Sequence, residues 1–114
     1  MASDDRELVI RYMVGSTLPL VLNRDIEKIK SVSSMNAIVR YLESIQVEIN
    51  EELIKIRAQL RLNQIKIIEL VSREGIQCRY VSNGYEQRID MLPSIIKIAC
   101  DRHLQELMGL SSEE

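Results

Sequence analysis

The fold depends most on residues 36–74, which read NAIVRYLESIQVEINEELIKIRAQLRLNQIKIIELVSRE. They end a run of 55 residues, Leu20 to Glu74, that contains neither glycine nor proline and is rich in Ile, Leu and Val. Helix is the least costly structure for such a run. We therefore predict one long helix over residues 35–74, ended by Gly75 in the left-handed conformation that often follows a helix.

Two apolar rows run along this predicted helix on nearly opposite faces. As one helix, the 39 residues from Asn36 to Glu74 would be roughly 58 Å long, which exceeds the width of a compact domain of this size. The pattern therefore predicts that two copies pair along the helix, with the second row as their interface. The first row is Ile38, Leu42, Ile45, Ile49, Leu53, Ile56, Leu60, Asn63, Ile67 and Leu70, and the second is Ile54, Ala58, Leu62, Ile65 and Ile68.

Two alternatives remain open within this segment. Asn63, the one polar member of the first row, either faces solvent or sets the register of the paired helices. Residues 53–63 also alternate between apolar and polar side chains, which is a strand pattern. Helix is favoured because the flanks contain helix formers without turn residues, and because Glu51 and Lys55 have the spacing of a helical ion pair.

The preceding segment, residues 4–31, predicts two short helices. Gly15 ends the first helix, and Thr17 caps the second helix with Pro19 in its first turn, where a missing N–H does no harm. After the long helix, Asn83 and Gly84 separate two β-prone runs and predict a hairpin over residues 77–90.

A last helix is predicted over residues 91–109. Asp90 is its expected N-cap, Pro93 lies in its first turn and Gly109 ends it. The fold class expected is therefore mainly α (small α+β): a helical bundle with one long central helix, a β-hairpin in the C-terminal half and a final helix, within a single domain of residues 1–114.

Composition narrows the functional classes. The chain has 114 residues, of which 46% are hydrophobic and 28% charged, as in a globular domain. Its net charge is −2, so no bulk basic field attracts nucleic acid or lipid. The acidic N-terminus is unlike a signal peptide, and no apolar run is long enough to span a membrane. Two cysteines, Cys78 and Cys100, fit a reduced, cytoplasmic protein.

No sequence motif indicates a catalytic, cofactor or metal site. His103 is the only histidine, and it follows Cys100 by one helical turn. A zinc site needs three or four ligands, and the paired ligand spacing that usually supplies them is absent from the sequence. We expect a non-enzymatic, homo-oligomeric module, most simply a homodimer, that binds another protein and no cofactor.

An alternative function is DNA binding. The predicted helix ending at Glu74, followed by the hairpin 77–90, resembles the layout of recognition helix and wing in winged-helix folds. This resemblance implies that Arg73, Arg79 and Arg88 contact phosphates. The acidic balance of the chain argues against this alternative.

Overall fold

The computed structural model describes residues 2–32, 34 and 36–110 of the chain. In these residues it forms three helices and a three-stranded antiparallel sheet, so the predicted mainly α fold with a small β part is confirmed. Met35, where the long helix was predicted to begin, lies outside the described residues. The elements in order are α1 (Ala2–Val32), α2 (Asn36–Leu62), β1 (Lys66–Arg73), β2 (Gly75–Ser82), β3 (Tyr85–Met91) and α3 (Pro93–Leu107).

The N-terminal segment is one helix, and the prediction of two short helices is wrong. The Thr17 hydroxyl donates to the Met13 carbonyl at 2.9 Å, so Thr17 lies inside α1 and does not cap a new helix. Pro19 is also inside α1, although proline removes a helical hydrogen bond. Burial of Leu18 and Leu22 on either side of Pro19 compensates for that loss, because tertiary contacts supply most of the stability of a helix in a protein.

The long helix ends at Leu62, twelve residues before the predicted end. Gln64 adopts the left-handed conformation with a φ of +58°, and the Ile65 N–H donates to the Leu60 carbonyl at 2.8 Å. This is the Schellman stop, completed by apolar contact within the cluster that holds Leu60 and Ile65. Residues 66–73, predicted as helix, form strand β1 instead. The strand alternative for residues 53–63 is wrong as well, since α2 covers them through Leu62.

The predicted hairpin is confirmed as β2 and β3. Asn83 and Gly84 have φ values of +56° and +83° and join Ser82 to its partner Tyr85, as the Asn-Gly pair predicted. Strand β1 pairs in antiparallel orientation with the edge of β2 that β3 does not occupy. The pairing of β1 with β2 shifts register between Ile67 and Glu69. The sheet therefore has β2 in the centre and two open edges.

The final helix is also confirmed, with a different first turn. Its N-cap is Leu92, without a side-chain hydrogen bond, whereas the predicted cap Asp90 lies in β3 and accepts from Arg88 at 2.9 Å. Gly109 ends the helix with a φ of +78°, as predicted.

Helix α1 is the central element of the fold. It packs against α2 along its length and against α3 and β2 on its other side. The buried Ser82 hydroxyl donates to the Asp5 carboxylate at 2.7 Å and joins the first turns of α1 to the sheet. The core residues that α1 contributes point in several directions, as expected for a helix between two layers: Leu8, Val9, Met13, Val14, Leu18, Leu22 and Ile26.

Candidate interaction surface

One face of α2 carries a row of apolar side chains that the rest of the subunit leaves uncovered. Val47, Ile54 and Leu62 expose 55%, 62% and 80% of their surface, and Ala58 is half-buried between the last two. We call these four residues the α2 outer row. Their spacings of seven, four and four residues place them on one side of the helix. The opposite side faces α1 and is buried through Val39, Ile45, Ile49, Leu53, Ile56 and Leu60.

Three of the predicted interface residues lie on one exposed face of α2, and the others lie elsewhere in the fold. Ile54, Ala58 and Leu62 lie on the same exposed face, as the helical pattern predicted. Ile65 is only 5% exposed and belongs to the core, so its place in an interface is wrong. Ile68 lies in β1 and is 41% exposed, in a different element from the row.

Asn63 does not belong to a continuous helical seam. It lies exposed in the turn after α2, where its N–H donates to the Gln59 carbonyl at 3.0 Å. Val47 is the outer-row member that the sequence prediction missed. Its position seven residues before Ile54, which is one heptad, could have revealed it.

Charged side chains lie in and beside the α2 outer row. Glu51 lies within the row, one turn after Val47 and one turn before Ile54. Glu48 lies beside the N-terminal half of the row, and Lys55, Arg57 and Arg61 lie beside its C-terminal half. All five are exposed, and none of them forms an ion pair within the part of the chain that the structure describes. The row is therefore an apolar strip that Glu51 interrupts between Val47 and Ile54, with acidic residues towards one end and basic residues towards the other.

A second, shorter apolar patch lies on the first turns of α3. Leu92, Ile95 and Ile98 expose 67%, 49% and 56% of their surface. These residues cover less than half the length of the α2 outer row. The patch therefore provides a comparison for experiments on α2, since its side chains are similar in chemistry and exposure.

The residues predicted to contact nucleic acid do not form a basic surface. Arg79 is held between Glu69 at 3.0 Å and Glu86 at 2.8 Å, and these carboxylates, Glu86 above all, raise the pKa of Arg79. Arg88 pairs with Asp90, as described above. Neutralised charges of this kind attract phosphate weakly.

The helix required by the winged-helix layout is also missing. Glu74 lies in the turn between β1 and β2, and Arg73 ends β1, so a strand occupies the place of the predicted recognition helix. That structural prediction is wrong, while DNA binding itself stays a prediction.

His103 lies in a groove between α1, α2 and α3. Its Nε2 is 2.5 Å from the Glu52 carboxylate, and its Nδ1 is 3.5 Å from the Glu106 carboxylate. The described residues that line this groove include no Ser, Thr, Cys or Tyr, so no nucleophile lies beside the imidazole. The contact joins α2 to α3.

The two cysteines lie in separate core clusters, Cys78 with the sheet and Cys100 with α3. Burial raises the pKa of Cys78 to about 11 and also raises the pKa of Cys100, which keeps both thiols protonated. Across the residues with described positions, no group of three or more His, Cys, Asp and Glu side chains is arranged to hold a metal ion.

An open groove of 560 Å³ separates the middle of α1 from α3 and the turn between β1 and β2. Asp25 and Asp101 line it together with Arg73 and Lys97, so its walls carry charges of both signs. This mixture selects no single class of charged ligand, and the α2 outer row remains the better defined surface.

The fold and this surface together define a class of small, mainly helical protein that exposes an apolar helix face. A family model described as YhjD protein matches residues 1–112, and the chain therefore belongs to the YhjD family. No curated protein and no solved structure matches the chain. None of the helices in the described residues is long and apolar enough to cross a membrane.

Proposed function

We propose that the protein is a non-enzymatic interaction module that forms a homodimer through the α2 outer row and presents its other helical surfaces to a second protein. The observation that supports this proposal is the exposure of Val47, Ile54 and Leu62 along one face of a single helix. Exposed apolar surface of this kind commonly marks an interaction site in a soluble protein.

Its arrangement supports self-association in particular. The row is straight, parallel to the helix axis and about 22 Å long, which suits contact with another helix. A homodimer with twofold symmetry is the commonest assembly that uses one surface on both subunits. The two buried, free cysteines agree with a cytoplasmic location.

Light scattering at high micromolar concentrations, above the expected dissociation constant, tests the proposal. The wild type should have twice the mass of one chain, and the double variant Ile54→Glu, Leu62→Glu should have the mass of one chain with an unchanged circular dichroism spectrum. Charges placed within an apolar interface lose water on dimerisation, whereas they are solvated in the monomer.

A matched control is the double variant Ile95→Glu, Ile98→Glu on α3, whose side chains have similar exposure in the subunit. This variant should remain dimeric. Dissociation of the α3 variant together with an intact dimer in the α2 variant would assign the interface to α3. A wild type that is monomeric at high micromolar concentration would contradict the proposed function itself.

DNA binding is tested separately with mixed-sequence duplexes at low salt, where phosphate attraction is strongest. On our proposal the protein does not bind under these conditions. Binding that weakens when Arg73, Arg79 and Arg88 are changed to Ala would favour the alternative function.

A further inference from the structure

We propose that the two copies pair through their α2 outer rows in antiparallel orientation, so that the acidic half of one α2 lies beside the basic half of the other. This inference rests on the proposed self-association and adds the orientation of the partner. The occupant of the exposed face is thus a second copy of this chain.

The distribution of charge along α2 is the first observation that carries the inference. Residues 41–54 contain four Glu and no Lys or Arg, whereas residues 55–62 contain Lys55, Arg57 and Arg61 and no acidic residue. Two of the glutamates, Glu43 and Glu52, already contact side chains of α1 and α3. Of the acidic residues in and beside the row, Glu48 and Glu51 thus remain for the partner's basic residues.

Symmetry decides which charges meet. A twofold axis perpendicular to two antiparallel helices brings the same flank of each helix together. At 100° per residue, Glu48 and Lys55 fall on the same flank of the α2 outer row. When the twofold axis passes between residues 51 and 52, Glu48 of one copy lies level with Lys55 of the other, and this contact occurs twice in the dimer.

A parallel pair would place like charges beside each other along the whole row. The acidic half of one α2 would then lie beside the acidic half of the other, and the basic half beside the basic half, which is destabilising at short distance. Antiparallel pairing also places opposite ends of the two helix dipoles side by side. Both electrostatic contributions favour the same orientation.

The size of the surface sets the expected strength of the dimer. A helix face about 22 Å long and about 10–12 Å wide is smaller than a standard stable interface, which buries about 800 Å² on each partner. We therefore expect a dimer that dissociates in the micromolar range, where its dissociation constant can be measured by light scattering or sedimentation.

The first test is the effect of salt and charge reversal on that constant. Raising NaCl from about 20 mM to about 300 mM should weaken an antiparallel dimer, because salt screens attraction, and should strengthen a parallel one. Glu48→Lys should weaken the dimer about tenfold, since two contacts become repulsive. Glu48→Lys with Lys55→Glu should return to within about threefold of the wild type, because the contacts are restored with reversed polarity.

The second test measures orientation directly with nitroxide labels on Ser44→Cys and, separately, on Asn50→Cys. In an antiparallel dimer the two labels at position 44 should be roughly 15 Å farther apart than the two labels at position 50. In a parallel dimer both distances should be equal. The unlabelled background is the wild type, whose buried Cys78 and Cys100 should not react.

The possible outcomes separate the two proposals. A dimer whose labels are equally spaced at both positions, or whose affinity rises with salt, overturns the antiparallel pairing but leaves the self-association intact. A monomer at all concentrations removes both. Salt-weakened dimerisation, rescue by the double reversal and unequal label distances support the inference together.

Discussion

Gly75 is a residue at which the backbone accepts no side chain. It begins β2 with a φ of +109°, and a Cβ atom there would lie 2.3 Å from the Met91 carbonyl oxygen. Gly75→Ala should therefore cost more than about 3 kcal/mol of unfolding free energy, measured by urea denaturation. Gly84→Ala is the control, since its φ is also positive but no atom lies within 4 Å, and it should cost only about 1–2 kcal/mol. Equal losses would show that the contact with Met91 is unimportant.

The buried thiol of Cys78 makes the unfolding free energy of the protein decrease at alkaline pH. Burial raises its pKa from 9.0 to about 11 in the folded protein. The unfolded chain therefore releases this proton first, so stability is fully present below pH 9.0 and is lost as the pH rises towards about 11. Between about pH 8 and about pH 10.5, the urea midpoint of the wild type should fall more than that of Cys78→Ala. Parallel decreases in both proteins would contradict this role for the thiol.

At the scale of the element, the boundary between α2 and β1 separates two residues that the sequence placed in one row. Ile65→Glu should unfold the protein or cost about 3 kcal/mol or more, because its side chain is buried among Leu60 and the sheet. Leu62→Glu should change the stability of the monomer by less than about 0.5 kcal/mol. The measurement is urea denaturation at a protein concentration below the dimer dissociation constant. A stable Ile65→Glu would show that the core around β1 is looser than described.

The elements also show where sequence reasoning succeeds. The hairpin was predictable because Asn83 and Gly84 both tolerate positive φ, and few other dipeptides do. The end of α2 was missed because Gln64, a side chain with no special preference for positive φ, adopts the left-handed conformation there. Gly15 and Pro19 do not interrupt α1, because their cost to the helix is local whereas the burial of α1 involves the whole fold.

Most of the α2 outer row was predictable from helical spacing alone. Helical spacing places Ile54, Ala58 and Leu62 on one face whatever surrounds them. Spacing does not show which helix is central, because that depends on how the sheet and α3 pack. The sequence predicts that the long helix is the central element of the fold, but α1 has that position, and α2 leaves one face of the subunit exposed.

At the scale of the whole molecule, the shape of the subunit predicts the shape of the dimer. The subunit measures 52 × 29 × 27 Å. Helices of 31 and 27 residues, about 46 and 40 Å long, exceed both shorter dimensions, so α1 and α2 follow the long axis. Antiparallel pairing along α2 therefore places two subunits side by side, doubling the molecule in width rather than in length. Small-angle X-ray scattering should show a flat dimer that measures about 52 Å along the helices and about 54–58 Å across the pair, which is twice the subunit width, rather than the length of about 104 Å of two subunits placed end to end. Ile54→Glu with Leu62→Glu should return the scattering curve to that of one subunit, whereas a wild-type particle nearly twice as long would mean that the copies meet at their ends and that the α2 outer row is left in solvent.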